Sequence, residues 1–91
     1  MITAMDDISL LHEFENLAER LSVKIRYSNL DRDGGLCRVR GVYHLIVNRR
    51  LDTSGRIATI SRALSDLPLD QVFLIPAIRE VLDRYRSLSG E

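Results

Sequence analysis

The spacing of apolar residues changes period twice along this chain, and that change restricts the fold more than any single residue does. Over residues 8–21, Leu10, Leu11, Phe14, Leu17, Ala18 and Leu21 recur at intervals of three and four, which places them on one stripe of a helix. Between positions 23 and 48 the period drops to two, as in Val23-Lys24-Ile25-Arg26-Tyr27, where apolar and basic residues alternate as they do in a half-buried strand. Beyond Asp52 the helical spacing returns, first in Ile57, Ile60, Leu64 and Leu67, then in Ile78, Val81, Leu82, Tyr85 and Leu88. Strands grouped between helices predict an α+β domain in the order α-β-β-β-α-(β)-α, with a small antiparallel sheet packed against helices. At 91 residues there is room for one core, so residues 1–91 are read as a single domain.

The punctuation between the periodic segments agrees. Acids crowd the first half of the leading helix, where the helix dipole favours them, and Thr3 or Asp6 is the expected cap. Residues 29–35 end in Asp33-Gly34-Gly35, which tolerate positive φ and predict a turn. Two further strands, 36–40 and 42–48, flank Arg40-Gly41 and predict a hairpin. A loop of two or four residues there puts Leu36, Arg38, Tyr43, Leu45 and Val47 on one face. Cys37, Val39, His44 and Ile46 then share the other. Asp52 or Thr53 caps the second helix, which runs to about Asp66, and Pro68 helps to stop it. Residues 69–75 suit a short strand or an extended crossing. Pro76 suits the first turn of the last helix, with Gly90 just beyond its end.

Composition removes several function classes. Thirteen cations balance thirteen acids, so no polycation or acidic tail is present, although the distribution is uneven. The first 22 residues set five acids against Arg20, whereas residues 23–66 set Lys24 and eight arginines against four aspartates. A lone cysteine cannot close an internal disulfide, which predicts a reducing, cytoplasmic setting. The first ten residues lack a basic n-region and carry Asp6 and Asp7, so no signal peptide is expected there. No apolar run approaches the length of a membrane span.

The available chemistry is narrow. A zinc site needs several deprotonated nitrogen or sulfur ligands, and the chain offers Cys37, His12 and His44. His12 falls about 200° around the helix from Leu10, on its wet side. Neither a metal nor a cofactor is expected. Cys37 and His44 are the weak candidates for a nucleophile and base, as cross-strand neighbours on one sheet face. No G-x-S-x-G elbow, phosphate loop or dinucleotide fingerprint is present. Nucleic acid or a phospholigand would have to be met by Arg38, Arg40, Arg49, Arg50 and Arg56, with few aromatics to stack on bases. The run Val72-Phe73-Leu74-Ile75 exceeds what a small core readily absorbs, which makes Val72, Phe73 and Leu74 candidates for an interaction surface.

The stretch Gly41-Val42-Tyr43-His44-Leu45-Ile46-Val47-Asn48-Arg49-Arg50-Leu51, followed by Ile57-Ala58-Thr59-Ile60-Ser61-Arg62-Ala63-Leu64-Ser65-Asp66-Leu67, resembles the core of ImmA/IrrE-type zinc metallopeptidases. In that family a helix and a curled sheet precede a strand ending near an asparagine, then a loop and a helix bearing H-E-x-x-H. The resemblance covers residues 10–67 in element order and residues 48–67 by residue type. It places the zinc histidines on Arg62 and Asp66 and the catalytic glutamate on Ala63. Arginine does not ligate metal at ordinary pH, and alanine has no proton to shuttle. The resemblance therefore implies a minimal, inactivated relative in a bacterial cytoplasm. The expected role is a non-catalytic protein-interaction or regulatory module that self-associates or binds a protein partner. Nucleic-acid or phospholigand binding is the alternative, and a cysteine-dependent enzyme the second alternative.

Overall fold

The computed structural model describes residues 6–89, with side chains to Tyr85. Thr3, the Leu88 side chain and Gly90 lie outside the described residues. The elements run α1 (Asp7–Arg20), β1 (Val23–Ser28), β2 (Gly34–Val39), β3 (Val42–Asn48), α2 (Thr53–Leu64) and α3 (Pro76–Ser89).

Local chemistry accounts for most boundaries. The Asp6 carboxylate accepts the Ser9 N–H at 2.9 Å and starts α1. That hydrogen bond holds the Asp6 carboxyl below its ordinary pKa. At the other end Ser22 takes a left-handed φ of 62° and donates its N–H to the Glu19 carbonyl, which turns the chain into β1. Asp52 caps α2 in the same way as Asp6, accepting the Gly55 N–H at 2.8 Å. The hairpin between β2 and β3 has a two-residue turn, Arg40-Gly41, in which both φ angles are positive, 53° and 82°. That backbone matches the right-handed twist of the flanking strands.

The sheet order is β1-β3-β2. β3 is central, antiparallel to β2 but parallel to β1, so the sheet is mixed where a purely antiparallel one was expected. Residues 29–33 cause the difference. They carry the chain across the end of β3, a span of about 10 Å at ordinary strand spacing, instead of returning β2 alongside β1. Asn48, at the end of β3, holds this crossing in place. Its amide nitrogen donates to the carbonyls of Leu30 (3.3 Å) and Arg32 (3.0 Å), while its backbone N–H donates to Asp33 at 2.8 Å. Its amide oxygen accepts the Arg50 N–H at 3.0 Å, so the same side chain shapes the connection into α2.

One sheet face carries Val23, Ile25 and Tyr27 from β1, Tyr43, Leu45 and Val47 from β3, and Leu36 and Arg38 from β2. α1 and α2 lie against this face, and α3 packs on α1 and α2, with no contact to the sheet among the described residues. The core joins Phe14, Leu17, Leu45, Val47, Ile60, Leu64 and Leu82, all essentially sealed from solvent. α2 is buried beyond its apolar stripe, because it touches α1, α3, β2 and β3. Thr59 and Ser61 are buried there at little cost, since their hydroxyls donate to the Gly55 and Ile57 carbonyls one turn back.

Residues 69–75 form no strand: the Val72 N–H donates to the Leu69 carbonyl at 3.3 Å in a turn, and only residues 73–75 continue without one to α3. The Phe73 carbonyl, which a strand would commit to a ladder, accepts instead from the Arg20 guanidinium at the end of α1 (3.1 Å). Leu67, Leu69 and Leu74 are drawn into the core.

Candidate functional site

The helices cover one face of the sheet, so the second face is open to solvent. Its rows follow from the register. Lys24, His44 and Cys37 lie across the three strands in one row, Arg26, Ile46 and Gly35 in the next, and Val42 and Val39 close the hairpin end. A solvated sheet face is ordinarily polar. Here Val39 is 51% exposed and Val42 36%, with Cys37 exposed and Ile46 and His44 half-buried. Leu30 and Arg32 of the crossing segment, with Cys37 and Ile46, line a hollow of about 250 Å³ beside this face. Lys24 and Arg26 stand beside His44 and Ile46 on the β1 side of this face.

Cys37 stands directly across from His44, as the two-residue turn requires. The thiol is free and exposed. No hydrogen bond joins it to the imidazole, and among the described residues no group of three or more histidine, cysteine or acidic side chains could hold a metal.

The five arginines expected to form one binding surface are divided between the two ends of the sheet. Arg38 and Arg40 lie at the hairpin end, Arg38 on the helix-covered face with its guanidinium 5.3 Å from the centre of the Tyr43 ring. Arg49, Arg50 and Arg56 lie at the opposite end, beyond Asn48. Two of them are engaged as braces. Arg56 donates to the carbonyls of Leu51 (3.1 Å) and Arg49 (2.8 Å), and its guanidinium sits 4.8 Å from the centre of the Tyr27 ring. Arg49 donates to the Tyr27 carbonyl at 3.3 Å.

Tyr27 is the meeting point of this end. Its hydroxyl donates to the Glu15 carboxylate on α1, tying that helix to the edge strand. Burial raises the phenol pKa well above its ordinary value, and the Glu15 hydrogen bond and charge push the same way, while Arg56 opposes them. The folded protein therefore holds the phenol neutral where the unfolded chain ionises, near pH 10. This stabilisation is complete below that pH and falls away as pH rises through and beyond it. Urea midpoints measured between about pH 9 and 11 are expected to decline for the native chain and to decline less for Tyr27→Phe. Equal slopes would show that Tyr27 contributes nothing to alkaline unfolding.

Of the apolar run expected to form a surface, Val72 is half-buried, Leu74 is buried and only Phe73 projects, at 73% exposure. Arg62 and Asp66, where the metallopeptidase resemblance places histidines, are exposed near the end of α2, and Ala63 is half-buried. Lys24 and Arg26 were not among the binding residues expected from the sequence. Their signal was the alternation in Val23-Lys24-Ile25-Arg26-Tyr27, but which side of that strand meets water depends on where the helices settle.

A second concavity, about 680 Å³, runs along β1 and is bordered by Glu15 and Glu19 of α1 and by Val42 at the hairpin. Among the described residues no helix is long and apolar enough to cross a membrane. Comparison of the chain with protein-family models, with curated proteins and with solved structures finds no match.

Proposed function

We propose that this chain is a non-catalytic protein-interaction module that docks a protein partner on the open face of its sheet. The observation that carries this reading is the exposed apolar pair Val39 and Val42, with half-buried Ile46 beyond His44 on the same strand, on a sheet face that no helix among the described residues covers. Apolar surface gathered on a sheet gains from removal from water, at roughly 25 cal/mol per Å² before the costs of association. Lys24 and Arg26 on the same face favour a partner whose contact surface is apolar at its centre and acidic at its rim. The hollow beside Leu30 and Ile46 is suited to one projecting apolar side chain.

Co-purification from the native host, comparing the native chain with a Val39→Asp/Val42→Asp variant, tests this reading. Both positions are exposed, but they pair directly across the hairpin and two carboxylates there repel, so an uncharged Val39→Thr/Val42→Thr variant, expected to keep the native circular dichroism and to lose the same proteins, is run beside it. The native chain is expected to retain a defined set of proteins that the variant loses. Retention of the same set by both chains, or of nothing by the native chain, overturns the reading.

A further inference from the structure

We propose that the outer edge of β1 is a strand-acceptor site, and that its occupant is an extended segment of a partner protein with acids at alternate positions and apolar residues between them. The proposal rests on the protein-interaction reading and names the chemistry of the partner. Its first support is the backbone. Among the described residues β1 pairs with β3 alone, on one side. The Ser28 carbonyl accepts the Arg49 N–H at 2.9 Å on the β3 side of the strand. Along a strand, peptide groups point alternately to its two edges, so those of Lys24 and Arg26 also face β3 and those of Val23, Ile25 and Tyr27 face outward. The Tyr27 carbonyl is taken by the Arg49 guanidinium, which closes that end. Ile25, half-buried, opens onto the 680 Å³ groove with the nearly buried Val23 at its floor, and there a new strand would find both a donor and an acceptor.

Charge then selects the occupant. A closed dimer formed by antiparallel pairing of β1 with a second β1 has its twofold axis perpendicular to the sheet, and residues of equal parity lie opposite one another. Centred on Lys24, the axis sets Lys24 against itself. Centred on Ile25 it sets Lys24 against Arg26, and centred on Arg26 it sets Arg26 against itself. Each of these three registers places like charges directly opposite, which is destabilising, while centring on Val23 or Tyr27 avoids that only by pairing one end of the strand. The same two cations reward a segment that brings acids to the outer face. On the inner side the groove is bordered by Glu15 and Glu19, which repel acids, while Ile25 and Val23 offer apolar contact. The two sides of the edge thus ask for opposite chemistry at successive positions, and that requirement is met by an alternating strand.

The test uses the whole chain and two synthetic peptides of about ten residues, one alternating valine with glutamate and the other valine with lysine. Binding is read from amide chemical shifts and from fluorescence anisotropy. The glutamate peptide is expected to bind at least about tenfold more tightly than the lysine peptide, with shifts concentrated at the Val23 and Ile25 amides. The Lys24→Glu/Arg26→Glu variant, altered only at exposed positions, is expected to reverse the preference. No binding of either peptide, equal binding of both, or shifts confined to β2 would overturn the proposal. If the double variant still retains the partners that Val39→Asp/Val42→Asp loses, the sheet-face reading survives while the strand-acceptor site does not.

Discussion

Gly34→Ala is expected to destabilise this protein by about 3–5 kcal/mol, a large part of the roughly 5–15 kcal/mol that holds a domain of this size together. Gly34 opens β2 with a φ of 141°, a conformation that side chains rarely permit. A Cβ there would lie 2.1 Å from the Ile46 carbonyl oxygen and 3.1 Å from the Val47 Cα. Both atoms belong to the backbone of the central strand, so relief requires moving β2 off β3 and giving up ladder hydrogen bonds. Gly35 is the internal control, since a Cβ at that position meets nothing within 4 Å. Urea denaturation is expected to place Gly35→Ala within about 0.5 kcal/mol of the native chain. A Gly34→Ala variant as stable as Gly35→Ala would show that the close approach of β2 to β3 does not limit the fold.

Asn48→Leu is expected to cost about 2–4 kcal/mol. The substitution keeps the branched outline of the side chain, with methyls larger than the amide atoms, but leaves the carbonyls of Leu30 and Arg32 and the N–H of Arg50 without the partner that Asn48 supplies. Asn48 is only 9% exposed, so water does not readily replace it. The effect should also be local. Hydrogen exchange at the Arg50 amide and at the Asn48 amide, which donates to Asp33, is expected to accelerate before exchange in β1 does. Native-like stability in Asn48→Leu, with unchanged exchange at Arg50, would remove Asn48 from its place as the anchor of the crossing.

Gly34 and Asn48 also mark where local reading of the chain stops being sufficient. Helices α1, α2 and α3 are legible because their apolar spacing and caps, Asp6, Asp52 and Pro76, act within a few residues. The hairpin is legible for the same reason, and its register puts Cys37 opposite His44 as the alternation around Arg40-Gly41 implies. The destination of β2 is a different kind of fact. Asp33-Gly34-Gly35 states that the chain turns, but a turn between two strands is compatible with pairing β2 to β1 or passing it across β3. The choice is made by Asn48, 15 residues beyond Asp33 in the chain, whose side chain has hydrogen-bond groups enough to hold both loops at once.

The candidate site divides in the same way. That β1 bears cations on one side and apolar residues on the other was readable from residues 23–27. That this strand is an edge, and that its cations stand beside His44 and Ile46 on the open face, required the order β1-β3-β2. Conversely, the grouping of arginines in residues 38–56 suggested one basic surface, which the length of β3 separates into two ends. Phe73 projects into solvent between half-buried Val72 and buried Leu74, a difference between adjacent residues that their shared apolar character did not signal.

By itself, then, the order of amino acids determined the three helices with their buried stripes, the three strands and the β2–β3 hairpin, because propensity, capping and periodicity are short-range effects. Tertiary structure decided the mixed topology of the sheet, which face stayed open and which cations became neighbours. Those outcomes depend on hydrogen bonds and packing between residues far apart in the chain, such as Asn48 with Leu30 and Tyr27 with Glu15, and form only when the elements meet.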